Sequence, residues 1–175
     1  MILDRCMPDY HSREIHSILV AGPPEQVYPF VRHLDFRSSW ITRLLFSLRG
    51  MPTNRMTLDS IVGEGGLFRI IAEADFEFVV AGIGRPGGKT MPFSSEAEFQ
   101  AVKRPGLIKI CWNFTLSSEG EKTRVRTETR IQSTDRKTRI IFFFYWIIVR
   151  PFSGLIRREM LRIVKKQAMA TRGAP

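Results

Sequence analysis

Acidic side chains alternate along one short stretch, EADFE, which contains Glu73, Asp75 and Glu77. Carboxylates in pairs can act as general acid and base when burial raises the pKa of one of them. These three flank a predicted turn, however, where water solvates charge. The sequence therefore singles out no catalytic residue among them.

The histidines and cysteines lack the spacing of a metal site. His11, His16 and His33 form no His-Glu-x-x-His pattern, and Cys6 and Cys111 are 105 positions apart. We therefore predict no metal and no cofactor. The cysteines are interpreted as free thiols of a reducing compartment. Because the start, MILDRCMPDY, lacks the apolar run of a secretory signal, a cytoplasmic location is expected.

A glycine-rich stretch, GIGRPGGKT at 82–90, has the composition of a phosphate-binding loop without its spacing. That pattern requires a glycine where this chain has Ile83, and it must open a helix, which Pro92 blocks. A helix amino terminus is what would bind the phosphate. We therefore predict a hairpin loop here and no nucleotide site.

Hydrophobic periodicity indicates which elements would position these groups. Partly alternating apolar residues predict a strand at 11–22, and helical spacing follows Pro23, which suits the first turn of a helix. The first third of the chain is thus predicted to contain this strand, two short helices at 23–34 and 38–50, and a helical turn at 57–62.

The period then changes to two, which is typical of strands. Together with the first strand, five segments predict a curved antiparallel sheet of about six strands: 67–73, 76–84, 94–103, 107–116 and 122–133. A long helix capped by Asp135 follows and runs to about Ala168. The prediction is one α+β domain over 1–175, with 1–9 and 170–175 flexible.

Strand alternation also predicts which side chains face inward. On one strand, Ile110, Trp112 and Phe114 should point to the concave face of the sheet. On the next, solvent is expected around Arg124, Arg126 and Arg130. An apolar sheet face needs a cover, and the last helix is the only predicted element large enough to provide it.

This order of elements resembles the helix-grip fold of the START-like superfamily, which includes pollen-allergen-like ligand carriers and polyketide-cyclase-like proteins. Two stretches carry the resemblance: the strand-to-helix phrase ILVAGPPEQVYPFVRHL and the tail FFYWIIVRPFSGLIRREMLRIVKK. It covers nearly the whole chain and includes no catalytic motif. The resemblance therefore implies a fold more specifically than a function.

What the resemblance implies is a cavity between the sheet and the last helix that binds an apolar small molecule or lipid. The expected lining is one polar donor, His16, and the aromatic residues Phe78, Phe99, Trp112, Phe114, Phe142 and Tyr145. Some members cyclise or dehydrate polyketides, whereas many only carry a ligand. Binding and transport are favoured, and a polyketide-cyclase-like or dehydratase-like enzyme using polar cavity groups is the alternative.

The segment IIFFFYWIIV at 140–149 is apolar without a break. Ten helical residues span about 15 Å, half the hydrocarbon thickness of a bilayer, so the sequence does not favour a transmembrane helix. On a helical wheel, Ile140, Phe143, Phe144 and Ile147 fall opposite the predicted core stripe and should be covered by protein or lipid. Three covers are open: the two short helices, a second copy in a homodimer, and an anionic membrane.

Positive charge is concentrated at the end of the chain. The net charge is +10, and from Thr134 onward ten basic residues oppose two acidic ones. An anionic partner would suit this charge. No helix-turn-helix or RNA-recognition signature is present, so nucleic acid is disfavoured. The expected location is the cytoplasm, with peripheral membrane attachment as an extension of it.

Overall fold

The computed structural model describes residues 1–37, 39, 42–44, 47, 56–62, 68–86, 88 and 90–172. Within them the elements run in the order α1 (Ile2–Cys6), β1 (Ser12–Ala21), α2 (Pro24–Arg32), α3 (Leu58–Val62), β2 (Arg69–Ala74), β3 (Glu77–Gly84), α4 (Glu96–Ala101), β4 (Ile108–Glu119), β5 (Lys122–Ser133) and α5 (Arg136–Arg172). Residues 42–44 and 47 are helical as well. Most of the helix predicted at 38–50 lies outside the described residues.

The strands form one antiparallel sheet in the order β1-β5-β4-β3-β2. The predicted α+β class, with a curved sheet and a long carboxy-terminal helix, is confirmed. The predicted number of about six strands is corrected to five in the described part of the chain.

The segment predicted as the missing strand, 94–103, contains helix α4 instead. The Glu98 N–H donates to Ser95 Oγ at 3.1 Å, and the Glu98 carboxylate accepts from the Ser94 N–H at 2.6 Å. A serine followed three residues later by glutamate favours a helix start. Here the Ser95 hydroxyl satisfies an N–H that the first turn leaves open, and the Glu98 carboxylate binds the backbone just before the cap. The strand prediction was wrong because it followed the short alternating pattern and gave no weight to this capping signal.

Helices α2 and α5 cover the inner face of the sheet, and the main core lies between the sheet and these two helices. Trp112 and Phe114 point into this core and are 4% and 0% exposed, as the alternation of β4 predicts. Burying aromatic side chains of this size is among the largest favourable contributions to folding.

A second apolar cluster covers part of the outer face, where α1 and α4 pack on β3 and β4. Leu3, Cys6 and Phe99 are buried there against Cys111. Phe99 therefore lies on the face of the sheet opposite to Trp112, which corrects its predicted place beside Trp112. The flexibility of residues 1–9 stays a prediction, and α1 contributes Leu3 and Cys6 to this cluster.

The outer face of β5 is covered at Glu128 and Arg130, which corrects the expectation that Arg130 faces solvent, whereas Arg124 is 38% exposed. Arg130 is buried and donates to Glu128 Oε1 at 2.8 Å, to Asp4 Oδ1 at 2.5 Å and to the Met7 carbonyl at 2.9 Å. Burial alone would raise the pKa of Glu128, but hydrogen bonds from Arg13 and Arg130 outweigh it and lower the pKa. Alternation along β5 predicted the face of the sheet on which Arg130 lies, but not that the amino-terminal residues pack over it.

Helix α5 starts at the predicted cap and runs without interruption through Pro151. The Asp135 carboxylate accepts from the Thr138 N–H at 2.9 Å and from the Gly106 N–H at 2.6 Å. Hydrogen bonds from Thr138 and Gly106 lower the pKa of Asp135 to about 2. The cap thereby ties the start of α5 to the turn before β4.

Candidate functional site

Two neighbouring rows of side chains cross the inner face from β3 to β1, and each changes from apolar to polar along the way. In the first row, Val80 pairs with Trp112, which pairs with Thr129, which pairs with Glu14. The second row is Phe78, Phe114, Thr127 and His16 in the same strand order. Directly paired residues of antiparallel strands share a face, so the inner face is amphipathic.

The β5 and β1 members of the two rows, Glu14, His16, Thr127 and Thr129, are called the polar corner below. Around it, four buried polar atoms have no hydrogen-bond partner among the described residues: Trp112 Nε1, Thr127 Oγ1, His16 Nε2 and Glu14 Oε2. Buried polar atoms are paired in about nine cases out of ten. Four unpaired atoms in adjacent rows therefore mark a place suited to a further hydrogen-bonding molecule.

The acidic and basic groups of the polar corner lie close together. His16 Nε2 is 3.2 Å from Glu14 Oε1 without a hydrogen bond between them, and both side chains are largely buried. Helix α5 comes close at Gly154, where a Cβ would lie 2.7 Å from Glu14 Oε1 and 3.6 Å from His16 Nε2. Glycine therefore lets the helix backbone approach the pair.

A cation lies over the apolar part of the site. The Arg157 guanidinium is 4.5 Å from the centre of the Trp112 ring, and Phe68 meets that ring edge-on, with centroids 4.5 Å apart. Both are favourable arrangements for an indole. They hold the Trp112 ring in place while its Nε1 stays without a partner among the described residues.

No family model and no curated protein match the chain. Among solved structures, it is similar to a conserved protein from Geobacillus kaustophilus, with a TM-score of 0.45 and 11% identity over 91% of this chain and 97% of the other. It is also similar to a point mutant of norcoclaurine synthase from Thalictrum flavum in complex with a transition state analogue. The TM-score is 0.46 and the identity 12%, over 93% of this chain and 96% of the other. For a protein from Thermus thermophilus, the TM-score is 0.35 and the identity 11%, over 91% of this chain and 99% of the other. Similarities this low carry no conclusion about function, so the site has to be judged on its own chemistry.

The structure brings together four of the seven residues that the sequence predicted for the cavity: His16, Phe78, Trp112 and Phe114. Phe142 is buried in a separate cluster with Ile108 and Ile131. Tyr145 lies against Phe142 but is 40% exposed. Whether any of the seven contacts a ligand stays a prediction.

The carboxylates at the β2–β3 turn have structural contacts. Glu73 accepts from the Tyr28 hydroxyl at 2.6 Å and pairs with Arg32. Glu77 accepts from the Ile2 N–H at 2.9 Å and from the Asn113 amide at 2.8 Å, which fixes the start of α1. Glu73 pairs with Phe78 and so lies on the inner face, but on the edge strand β2, at the opposite end of the row from the polar corner, whereas Glu77 lies on the outer face.

Several residues of the site were not predicted from the sequence, among them Glu14, Thr127 and Gly154. Glu14 could have been found, because it is two positions from His16 and must share its face. Thr127 follows Arg126, which was expected in solvent, so alternation places it on the inner face, but spacing alone does not show that its hydroxyl is unpaired. Gly154 carried a usable signal, since a glycine within a helix is costly and indicates a close contact.

Proposed function

We propose that the protein is a START-like ligand-binding protein that holds an amphipathic small molecule or lipid between the inner face of the sheet and α5. The gradient from the Phe78–Phe114 side to the polar corner supports this, because it matches a molecule with an apolar body and one polar end. The observation that carries the proposal is the set of unpaired buried atoms, above all Trp112 Nε1 and Thr127 Oγ1.

Each end of the ligand has a defined role in this proposal. Its apolar body lies along the rings of Phe78, Trp112 and Phe114, where contact with water is lost. Its polar group accepts from Trp112 Nε1 and exchanges a hydrogen bond with the Thr127 hydroxyl. One such bond contributes about 1 kcal/mol, or roughly a fivefold change in Kd.

The test compares decan-1-ol with decane, which share an apolar chain but not a hydroxyl. Trp40→Phe/Trp146→Phe leaves Trp112 as the only tryptophan, and its fluorescence reports saturable binding. We expect Thr127→Val to weaken decanol binding roughly fivefold and leave decane binding unchanged. The matched control is Thr115→Val on the outer face of β4, which should change neither. A folded protein that binds neither probe saturably would overturn the proposal.

A second candidate function is suggested by the Glu14–His16 pair. An imidazole beside a carboxylate can remove a proton from a bound carbonyl compound, and both groups lie at the polar end of the site. This is the chemistry that a polyketide-cyclase-like or dehydratase-like enzyme needs at its first step. In this alternative, Thr127 or Trp112 Nε1 donates to the carbonyl oxygen.

Hydrogen exchange separates the two functions. In D₂O, an enzyme of this kind would speed deuterium incorporation next to the carbonyl of 2-tridecanone, followed by mass spectrometry. His16→Gln and Glu14→Gln should each slow that incorporation without abolishing decanol binding. If deuterium incorporation into 2-tridecanone is no faster than in buffer alone while decanol binding is normal, the result favours a ligand carrier over an enzyme.

A further inference from the structure

The first half of α5 exposes large apolar side chains that the described part of the fold leaves uncovered. Phe144 is 64% exposed and Ile147 56%, so α2, the described one of the two short helices expected from sequence as a cover, leaves them uncovered. The exposed set is Ile140, Ile141, Phe143, Phe144, Tyr145, Ile147, Ile148, Phe152 and Leu155. Apolar patches of this extent usually mark a binding surface.

These side chains form one surface because the opposite side of α5 packs on the domain. Phe142, Gly154 and Val164 are buried on that side, and between the first two the half-buried residues are Trp146, Val149 and Ser153, so one side of the helix faces the domain. The side facing away from the sheet is called the outward strip. Its first part, from Ile140 to Leu155, is apolar over about 22 Å, and its second part begins at Arg158.

Exposed cations stand at both ends of the apolar part. Arg136, Lys137 and Arg139 precede it, and Arg158, Arg162, Lys165 and Lys166 follow it. The only acidic residue of α5 is Glu159, which pairs with Arg162 at 3.5 Å. The outward strip therefore combines an apolar centre with positive charge at each end.

This charge pattern disfavours a second copy of the chain as the occupant. If two outward strips paired antiparallel about Ile147, Lys137 of one would approach Arg158 of the other. If they paired parallel, each cation would face its own counterpart. Both arrangements place like charges together, which opposes association. An anionic surface instead attracts both basic ends while its interior receives the apolar centre.

We propose that the outward strip docks on an anionic membrane, with α5 lying in the plane of the interface and the sheet on the water side. By length and composition α5 could also cross a bilayer: an 18-residue window has a mean hydropathy of 1.5, with 6% of it buried. Crossing would require Phe142 and Gly154 to leave the sheet. The packed geometry favours an interfacial helix, which is independent of the ligand proposed above.

Liposome flotation tests the docking. We expect the protein to float with phosphatidylcholine vesicles containing about 30% phosphatidylglycerol, and to bind pure phosphatidylcholine at least roughly tenfold more weakly. Ile148→Ser, at a position 69% exposed, should reduce flotation severalfold, whereas Ile15→Ser, 42% exposed on β1, should not. Arg158→Gln/Lys165→Gln should weaken it, and the matched control Lys103→Gln/Arg104→Gln, also exposed, should not.

Depth of insertion distinguishes an interfacial from a spanning helix. A fluorophore on Ile147→Cys can be attached selectively, because Cys6 and Cys111 are buried. Lipids that carry a nitroxide near the glycerol should quench it more than lipids labelled deep in the chain. Deeper quenching by the second set, or a sedimenting dimer that Ile148→Ser dissociates in the absence of lipid, would overturn the proposal. Equal flotation of Ile148→Ser and wild type would do so too.

Discussion

Gly154 of α5 lies against the carboxylate of Glu14 on β1, so close that a Cβ would come within 2.7 Å of Glu14 Oε1. Glycine inside a helix costs about 1 kcal/mol relative to alanine. At this position it allows the backbone of α5 to approach the polar corner. The contact partner is the end of a mobile side chain, so the consequence of filling the space depends on Glu14.

Gly154→Ala should therefore have different effects in two backgrounds. In the wild type, the gain in helix propensity is offset because the new methyl group must displace the Glu14 carboxylate from His16. With Glu14→Ala the clash is absent, and Gly154→Ala should stabilise the fold by about 1 kcal/mol. Urea unfolding of the four proteins gives the coupling energy. Equal effects in both backgrounds would show that the two residues are not coupled.

Thr127→Val should stabilise the ligand-free protein while weakening ligand binding. The hydroxyl is buried without a partner among the described residues, and a methyl group in its place removes that unsatisfied donor, a gain of about 1 kcal/mol. Thr123→Val on the same strand is the control, because Thr123 Oγ1 donates to the Gly22 carbonyl at 2.5 Å, and its loss should be destabilising. Urea midpoints shifted in the same direction would contradict this.

Glu128→Gln should destabilise the protein by about 3 kcal/mol, because it leaves buried Arg130 with only the half-exposed Asp4 as a carboxylate partner. The wild type should also lose stability in acid. The folded pKa of Glu128 is lowered from 4.5, so its contribution is present above pH 4.5 and is lost as pH falls through the folded value. Glu128→Gln should have a flatter stability curve below pH 4.5. If the stability of the wild type and that of Glu128→Gln fall in parallel with decreasing pH, Glu128 is not the group responsible for the acid sensitivity.

The regular parts of the fold could be predicted because period and face are local properties. Alternation along β4 determined that Trp112 faces inward, and Asp135 marked the start of α5. Cover is not local. Arg130 was expected in water because its partner Asp4 is 126 positions away in the chain, and nothing in the strand itself indicates that α1 packs on it.

The candidate site was only half predictable for a similar reason. Aromatic residues on one face can be read from spacing, but an unpaired hydroxyl such as that of Thr127 is defined by what fails to approach it in three dimensions. The same limit applied to the outward strip. The helical wheel separated Phe144 and Ile147 from the predicted core stripe but wrongly assigned Ile148 to that stripe, and Ile148 is 69% exposed.

Docking of α1 should control the reactivity of both thiols. Cys6 and Cys111 are buried beneath or within α1, and burial raises the pKa of Cys6 to about 12 and also raises that of Cys111. The native protein should therefore react very slowly with a disulfide reagent at about pH 8, since the thiolate is the attacking species. Leu3 is 0% exposed in the same cluster, and Leu3→Ala removes several kcal/mol of packing.

Leu3→Ala should consequently speed labelling by roughly tenfold or more, because α1 opens locally at a lower cost. The exposed neighbour Asp9 gives the control, and Asp9→Ala should label at the wild-type rate. Urea unfolding of both variants separates local from global opening. Unchanged labelling of Leu3→Ala would mean that α1 does not protect the thiols and that residues 1–9 are as loose as their sequence suggests.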